Sequence, residues 1–179
     1  MSVVVLYKEG DTYKMTGDGR ITSGTKITTD GSRKVYVSED SAAIFGIIGN
    51  MADTFPIKVM LNKYYTDPWK LLLELNKEDV AKLFVDMIAI VASGDGFLYA
   101  VDKTSHSEES GTDNKHLLSL EEIQDEELPY FIGSGATSVR AILSLSNTID
   151  TKSVTNAIRK AYKVEASIGG AITTVEIEP

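Results

Sequence analysis

Ser2, Asp18 and Lys34, three residues within the first 34 of the chain, have the types and intervals that suit an N-terminal nucleophile. Removal of Met1 would leave a serine bearing both a hydroxyl and a free α-amine. Such an amine titrates near pH ~8, so at neutral pH it can accept the hydroxyl's proton. A hydroxyl beside a chain-terminal amine is one way to activate a weak nucleophile. Asp18 lies in Gly17-Asp18-Gly19, and Lys34 ends the run Asp30-Gly31-Ser32-Arg33-Lys34. The three would supply nucleophile, orienting anion and electrostatic partner. Each has a plainer reading on its own: Ser is common after an initiator Met, Asp favours turns through its side chain, and Lys34 could be a solvated strand end. With Met1 attached, Ser2 has no free amine and the base is lost.

The elements that must position these residues follow from patterning. Ser2–Tyr7 is apolar and β-branched, Glu9-Gly10-Asp11 is a turn, and Thr12–Thr16 resumes, which predicts a β-hairpin. Further strands are expected at Thr25–Thr29, Lys34–Val37 and Ala43–Ile48, the last apolar enough to be covered on both faces. Helical spacing starts at Met51, with Phe55, Val59, Met60 and Leu61 on one stripe and Pro56 expected in the first turn. A second helix is predicted over Asp67–Leu75 and a third over Lys77–Val91. Ser93-Gly94-Asp95-Gly96 reads as a hairpin turn into a strand at Phe97–Val101. Lys103–Lys115 reads as an exposed loop. Then come strand His116–Leu120, a solvated acidic run Glu121–Glu127 and strand Tyr130–Ile132. Helices Ala136–Leu145 and Thr151–Lys163 follow, the latter capped by Asp150 or Thr151, and Ile172–Ile177 is the final strand. Runs of strands and runs of helices argue for an α+β layered architecture.

Composition excludes several classes of function. The 179 residues suit a single domain with a real core, and 42% hydrophobic with 25% charged residues is ordinary for a soluble globular protein. No cysteine is present, so neither disulfides nor thiolate-bound metals are available. A cytoplasmic location is expected, with no signal peptide or membrane span. A net charge of −8 disfavours phosphate-backbone binding. His106 and His116 lack partners at ligand spacing, so no metal is expected. Gly19–Lys26 has its Lys and Thr in the wrong order for a phosphate loop.

The order and separation of several blocks resemble the proteasome β-subunit family, and more closely its bacterial relative, the HslV-type peptidase. These blocks are the opening strand; Gly17-Asp18-Gly19-Arg20; the segment ending Lys34-Val35; Ile44-Phe45-Gly46-Ile47-Ile48-Gly49-Asn50-Met51-Ala52-Asp53; Ile132-Gly133-Ser134-Gly135; and Gly169-Gly170-Ala171. The resemblance covers almost the whole chain. It implies a four-layer αββα sandwich of the N-terminal nucleophile hydrolase type. It places Ser2 where the family usually has threonine, with Asp18 as the orienting aspartate and Lys34 as the lysine. Gly46 falls at the oxyanion-hole N–H, worth ~3 kcal/mol in such a site, and Ser134 at the supporting serine. The C-terminal part departs from the pattern: Glu165 stands at an aspartate position, Ile168 at a serine position, and Ser167 one place early. No cofactor is implied.

Three functions are compatible with this reading. The first is a peptidase in which Ser2 Oγ attacks a peptide carbonyl while its own amine moves the proton, a transfer that typically contributes ~10²–10⁴-fold. The resemblance implies self-association into rings, a polypeptide substrate and, in close relatives, a ring ATPase partner. The second is a catalytically inactive structural or binding subunit of the same fold. The third is an amidohydrolase acting on a small amide. Fold alone does not separate them, because function belongs to the site.

Overall fold

A computed structural model describes residues 2–23, 26–77, 87–105 and 116–179. Two sheets form its centre. In one, the order β10(Tyr130–Ile132)-β1(Val4–Glu9)-β2(Thr12–Gly17)-β11(Thr173–Ile177) is antiparallel throughout. In the other, the order is β5(Val35–Val37)-β6(Ala43–Gly49)-β7(Met87–Ser93)-β8(Leu98–Ser105)-β9(His116–Glu122). A separate hairpin pairs β3(Ile21–Ser23) with β4(Lys26–Thr29). Helices α1(Met51–Tyr64) and α2(Pro68–Leu75) cover the second sheet, while α3(Ala136–Leu143) and α4(Thr151–Ala161) cover the first.

Side-chain alternation explains the layering. Val4 and Leu6 of β1 face the second sheet, meeting Val35, Ile44 and Ile90 in the central core. Val3, Val5 and Tyr7 point the other way, against Val139 and Leu143 of α3 and Val154 and Ile158 of α4. Both faces of β1 are therefore buried over its first four residues, which is why Val4–Tyr7 is continuously apolar. β6 behaves alike: Phe45 and Ile47 pack under Ile57, Leu61 and Leu71 of the first helix pair, while Ile44 faces β1. The result is the four-layer αββα sandwich of the α+β class expected from the sequence.

Local signals set the element ends. The β1–β2 register pairs Glu9 with Thr12, so Gly10 (φ +64°) and Asp11 form the two-residue turn. Asp67 caps α2 by accepting from the Lys70 N–H, with Pro68 at the first helical position. Asp150 caps α4 in a reciprocal box with Ser153, and Val154, Ala157, Ile158 and Ala161 form its buried stripe.

Four expectations are corrected. Pro56 lies inside α1 rather than in its first turn, because the helix already begins at Met51. The third helix was expected to run to Val91, but Met87–Ser93 is strand β7; residues 78–86 lie outside the described residues. This strand is buried on nearly every residue, so it shows no alternation from which its period could be read. Lys103, expected in an exposed loop, is buried in β8, opposite Met87 and Leu118; residues 106–115, with His106, lie outside the described residues. Of the acidic run, Glu121 and Glu122 close β9, Ile123 is core, and Asp125–Glu127 is a 3₁₀ turn.

Candidate functional site

Two strand registers converge on the second and third residues of the chain. β1 lies between β2 and β10. The β1–β2 register, Val4 opposite Gly17, carries on to place Asp18 beside Val3. The Asp18 N–H donates to the Val3 carbonyl (3.2 Å) and the Val3 N–H donates to Asp18 Oδ1 (2.9 Å). On the other side, Val4 opposite Ile132 places Ser134 beside Ser2. The Ser2 nitrogen donates to Ser134 Oγ (3.3 Å), and the Gly135 N–H donates to the Ser2 carbonyl (3.2 Å). Gly133 adopts φ +100° there, and a Cβ on it would collide with the Ser2 carbonyl. A side chain at this turn would thus push Ser134 away from Ser2.

Lys34 enters from the second sheet. The Ile47 N–H donates to the Lys34 carbonyl (2.8 Å), fixing the lysine at the end of β5. Its Nζ donates to Asp18 Oδ1 (2.6 Å) and to the Arg20 carbonyl (2.7 Å). Gly17 makes the approach possible, since a Cβ there would crowd Val4, Val35 and the Lys34 Cβ at 3.2–3.4 Å. The Asp18 and Lys34 side chains are 0% and 6% exposed, so this is a buried ion pair. Burial pulls the Lys34 ammonium below its ordinary range, and the Asp18 carboxylate opposes that shift. Asp18 Oδ2 accepts from the Gly169 N–H (3.1 Å) and the Arg20 N–H (3.3 Å). The carboxylate is therefore held by four donors from four stretches of chain.

Ser2, Asp18, Lys34 and Ser134 are thus brought together. Gly46 is placed differently. It sits within β6, opposite Val35 and Ile90, and a Cβ on it would come 2.7 Å from Val4 Cγ1. The Ile47 N–H points to β5, so by antiparallel alternation the Gly46 N–H points to β7 as a ladder rung. The same alternation turns the Gly49 N–H toward the β5 side, where β5 has already ended. Gly49, at φ +133°, borders a cleft of about 60 Å³ that is also lined by Ser2, Lys34, Ile47, Ile48 and Thr54. The only sequence signal for it is a glycine closing the apolar run Ala43–Ile48; its positive φ belongs to the fold.

The C-terminal departures have physical consequences. Ser167 Oγ donates to Glu165 Oε1 (2.6 Å), and Ile168 is fully buried against Gly135. Neither is bonded to Ser2, whose nitrogen donates, among the described residues, to Ser134. Among the described residues no three His, Cys, Asp or Glu side chains gather as metal ligands, and no helix is long and apolar enough to cross a membrane.

No protein-family model and no curated protein matches the chain by sequence. Solved structures do match it. Eukaryotic HslV from Trypanosoma brucei superposes with a TM-score of 0.67 at 16% identity, over 99% of both chains. BPH from Thiobacillus denitrificans superposes at 0.65 and 11% identity, and its complex with epoxomicin at 0.63 and 13%, each over 99% of this chain and 98% of that one. Identities this low speak to fold, and over nearly full length they agree with the layers and registers described above: the chain has the fold of the proteasome β-subunit and HslV-type peptidases.

Proposed function

We propose that the protein is a peptidase whose nucleophile is Ser2, freed by removal of Met1. The observation that carries this reading is the buried Asp18–Lys34 pair, bonded to the residue next to Ser2. A buried ion pair is costly to desolvate and is weak evidence of stabilisation. Its position beside the chain's start is accounted for by chemistry. The Lys34 ammonium, pulled below its ordinary range by burial, is a positive charge that favours the alkoxide form of a neighbouring hydroxyl. Asp18 fixes that ammonium and the backbone of β1.

In the reaction, the α-amine takes the Ser2 hydroxyl proton and Oγ attacks the scissile carbonyl, forming a tetrahedral oxyanion. The Gly49 N–H, at the cleft, is better turned to hold that oxygen than the Gly46 N–H, which is directed into the ladder. The protonated amine then gives its proton to the departing amine, leaving an ester on Ser2 that water hydrolyses. Ser134 Oγ, which accepts from the Ser2 nitrogen, would orient the α-amine once Met1 is removed. Rings of this chain would enclose the sites, with a ring ATPase as the expected feeder. Hydrolysis of fluorogenic peptides tests the proposal: Ser2→Ala should bring turnover to background while the melting temperature stays near that of the parent. Unchanged turnover in Ser2→Ala would contradict it.

A second reading, a catalytically silent subunit of this fold, is favoured by the loss of C-terminal support for the amine. Ile168 is apolar and Ser167 is bonded to Glu165. Under that reading the unsubstituted protein turns over no peptide.

A further inference from the structure

Arg20 and Asp30 lie outside the nucleophile's immediate partners, yet they are joined as a fork. Arg20 Nε donates to Asp30 Oδ1 (2.7 Å) and Nη2 to Oδ2 (3.1 Å), while Nη1 donates to the Ala166 carbonyl (2.8 Å). We propose that the Arg20–Asp30 pair is a clamp that positions the Asp18 carboxylate, by fixing the 166–171 loop whose Gly169 N–H binds it. Arg20 is then a positioning residue for the Ser2 reaction, and the proposal rests on the nucleophile reading above.

The loop is stitched on both sides of that contact. The Gly19 N–H donates to the Gly169 carbonyl (3.0 Å), and the Ala171 N–H donates to the Asp30 carbonyl (2.8 Å). The guanidinium lies so close to Gly169 that any Cβ there would collide with it. Gly170, at φ +75°, is pressed equally closely onto the Asp30 carbonyl. Glycine at both 169 and 170 is thus what lets the loop pass beneath the clamp. Asp18 divides its two oxygens accordingly. Oδ1 is aimed by Lys34 and Val3, which directly precede β5 and β1; Oδ2 is aimed by the Arg20 N–H, between β2 and β3, and by Gly169. Of these four donors, Gly169 lies farthest along the chain from Asp18, in the loop that the Arg20 side chain ties down through the Ala166 carbonyl. Asp30 is 48% exposed, so the ion pair itself contributes little to stability. A planar bidentate fork supplies direction instead, which a lysine's point charge cannot.

The test measures amide exchange at Gly169, melting temperature and steady-state peptide hydrolysis in Arg20→Gln, Asp30→Asn, the double variant and Arg20→Lys. Gly169 exchange should accelerate, and kcat should fall by about tenfold with KM unchanged, a loss of the kind a sub-ångström misplacement produces. The double variant should be no worse than either single one, and Arg20→Lys should lie between the parent and Arg20→Gln. Melting temperatures should move by a few degrees at most. Unchanged Gly169 exchange in Arg20→Gln and Asp30→Asn overturns the proposal. Failure of both to fold overturns it too, since the pair would then be a structural tie. If the unsubstituted protein hydrolyses no peptide, the nucleophile reading fails, while Gly169 exchange still decides whether the clamp holds the loop.

Discussion

Lys34 meets Asp18 where both are almost wholly shielded from bulk water, and that fixes what their removal should do. Lys34→Met keeps the length of the side chain but strands the Asp18 carboxylate in the core. Removing one partner of a buried pair costs about 3–5 kcal/mol, more than losing an exposed pair would. Lys34→Met should therefore lower the denaturation midpoint severely. The double variant Asp18→Asn, Lys34→Met should recover part of that loss, because residues in contact are not additive. Chemical denaturation of the four proteins in the cycle checks this, and equal losses in single and double variants would refute it. These residues were legible in the sequence as types at suggestive intervals. Their contact was not, because it depends on Gly17 letting two sheets close beside the site.

At the scale of elements, β6 gives a second expectation. A methyl on Gly46 would fall 2.7 Å from Val4 Cγ1, in a core packed on both sides. Overpacking of this kind costs about 1–3 kcal/mol, so Gly46→Ala should be destabilised and Val4→Ala should relieve it in the double variant. Denaturant midpoints read both; a neutral Gly46→Ala would show that the sheets separate more freely than the packing indicates. β6 also shows how far sequence reading reaches. Its unbroken apolar run identified a strand covered on both faces, but not which N–H groups point to β5 and which to β7. That depends on registers with strands far away in sequence, which is why Gly46 attracted the donor role and Gly49 did not. β7 was missed for a related reason: burial on both faces removes the alternation that distinguishes a strand from a buried helix. Capped helices fared better, since Asp67-Pro68 and Asp150 carry their signals within a few residues. The Arg20–Asp30–Gly169 contacts were out of reach, as their partners are joined only by the closed fold.

For the whole molecule, four layers leave Phe55, Trp69 and Leu73 mostly exposed on the outer helices. The proposed assembly into rings would cover such residues, and light scattering should then find a ring-sized particle; a clean monomer would favour the silent reading. The account as a whole rests on Ser2 having both its oxygen and a free amine. Mass spectrometry of the protein after treatment with a hydroxyl-directed proteasome inhibitor examines both together. The tryptic peptide Ser2–Lys8 should be recovered without Met1 and carrying the inhibitor, whereas a peptide still bearing Met1 and free of inhibitor would contradict the nucleophile.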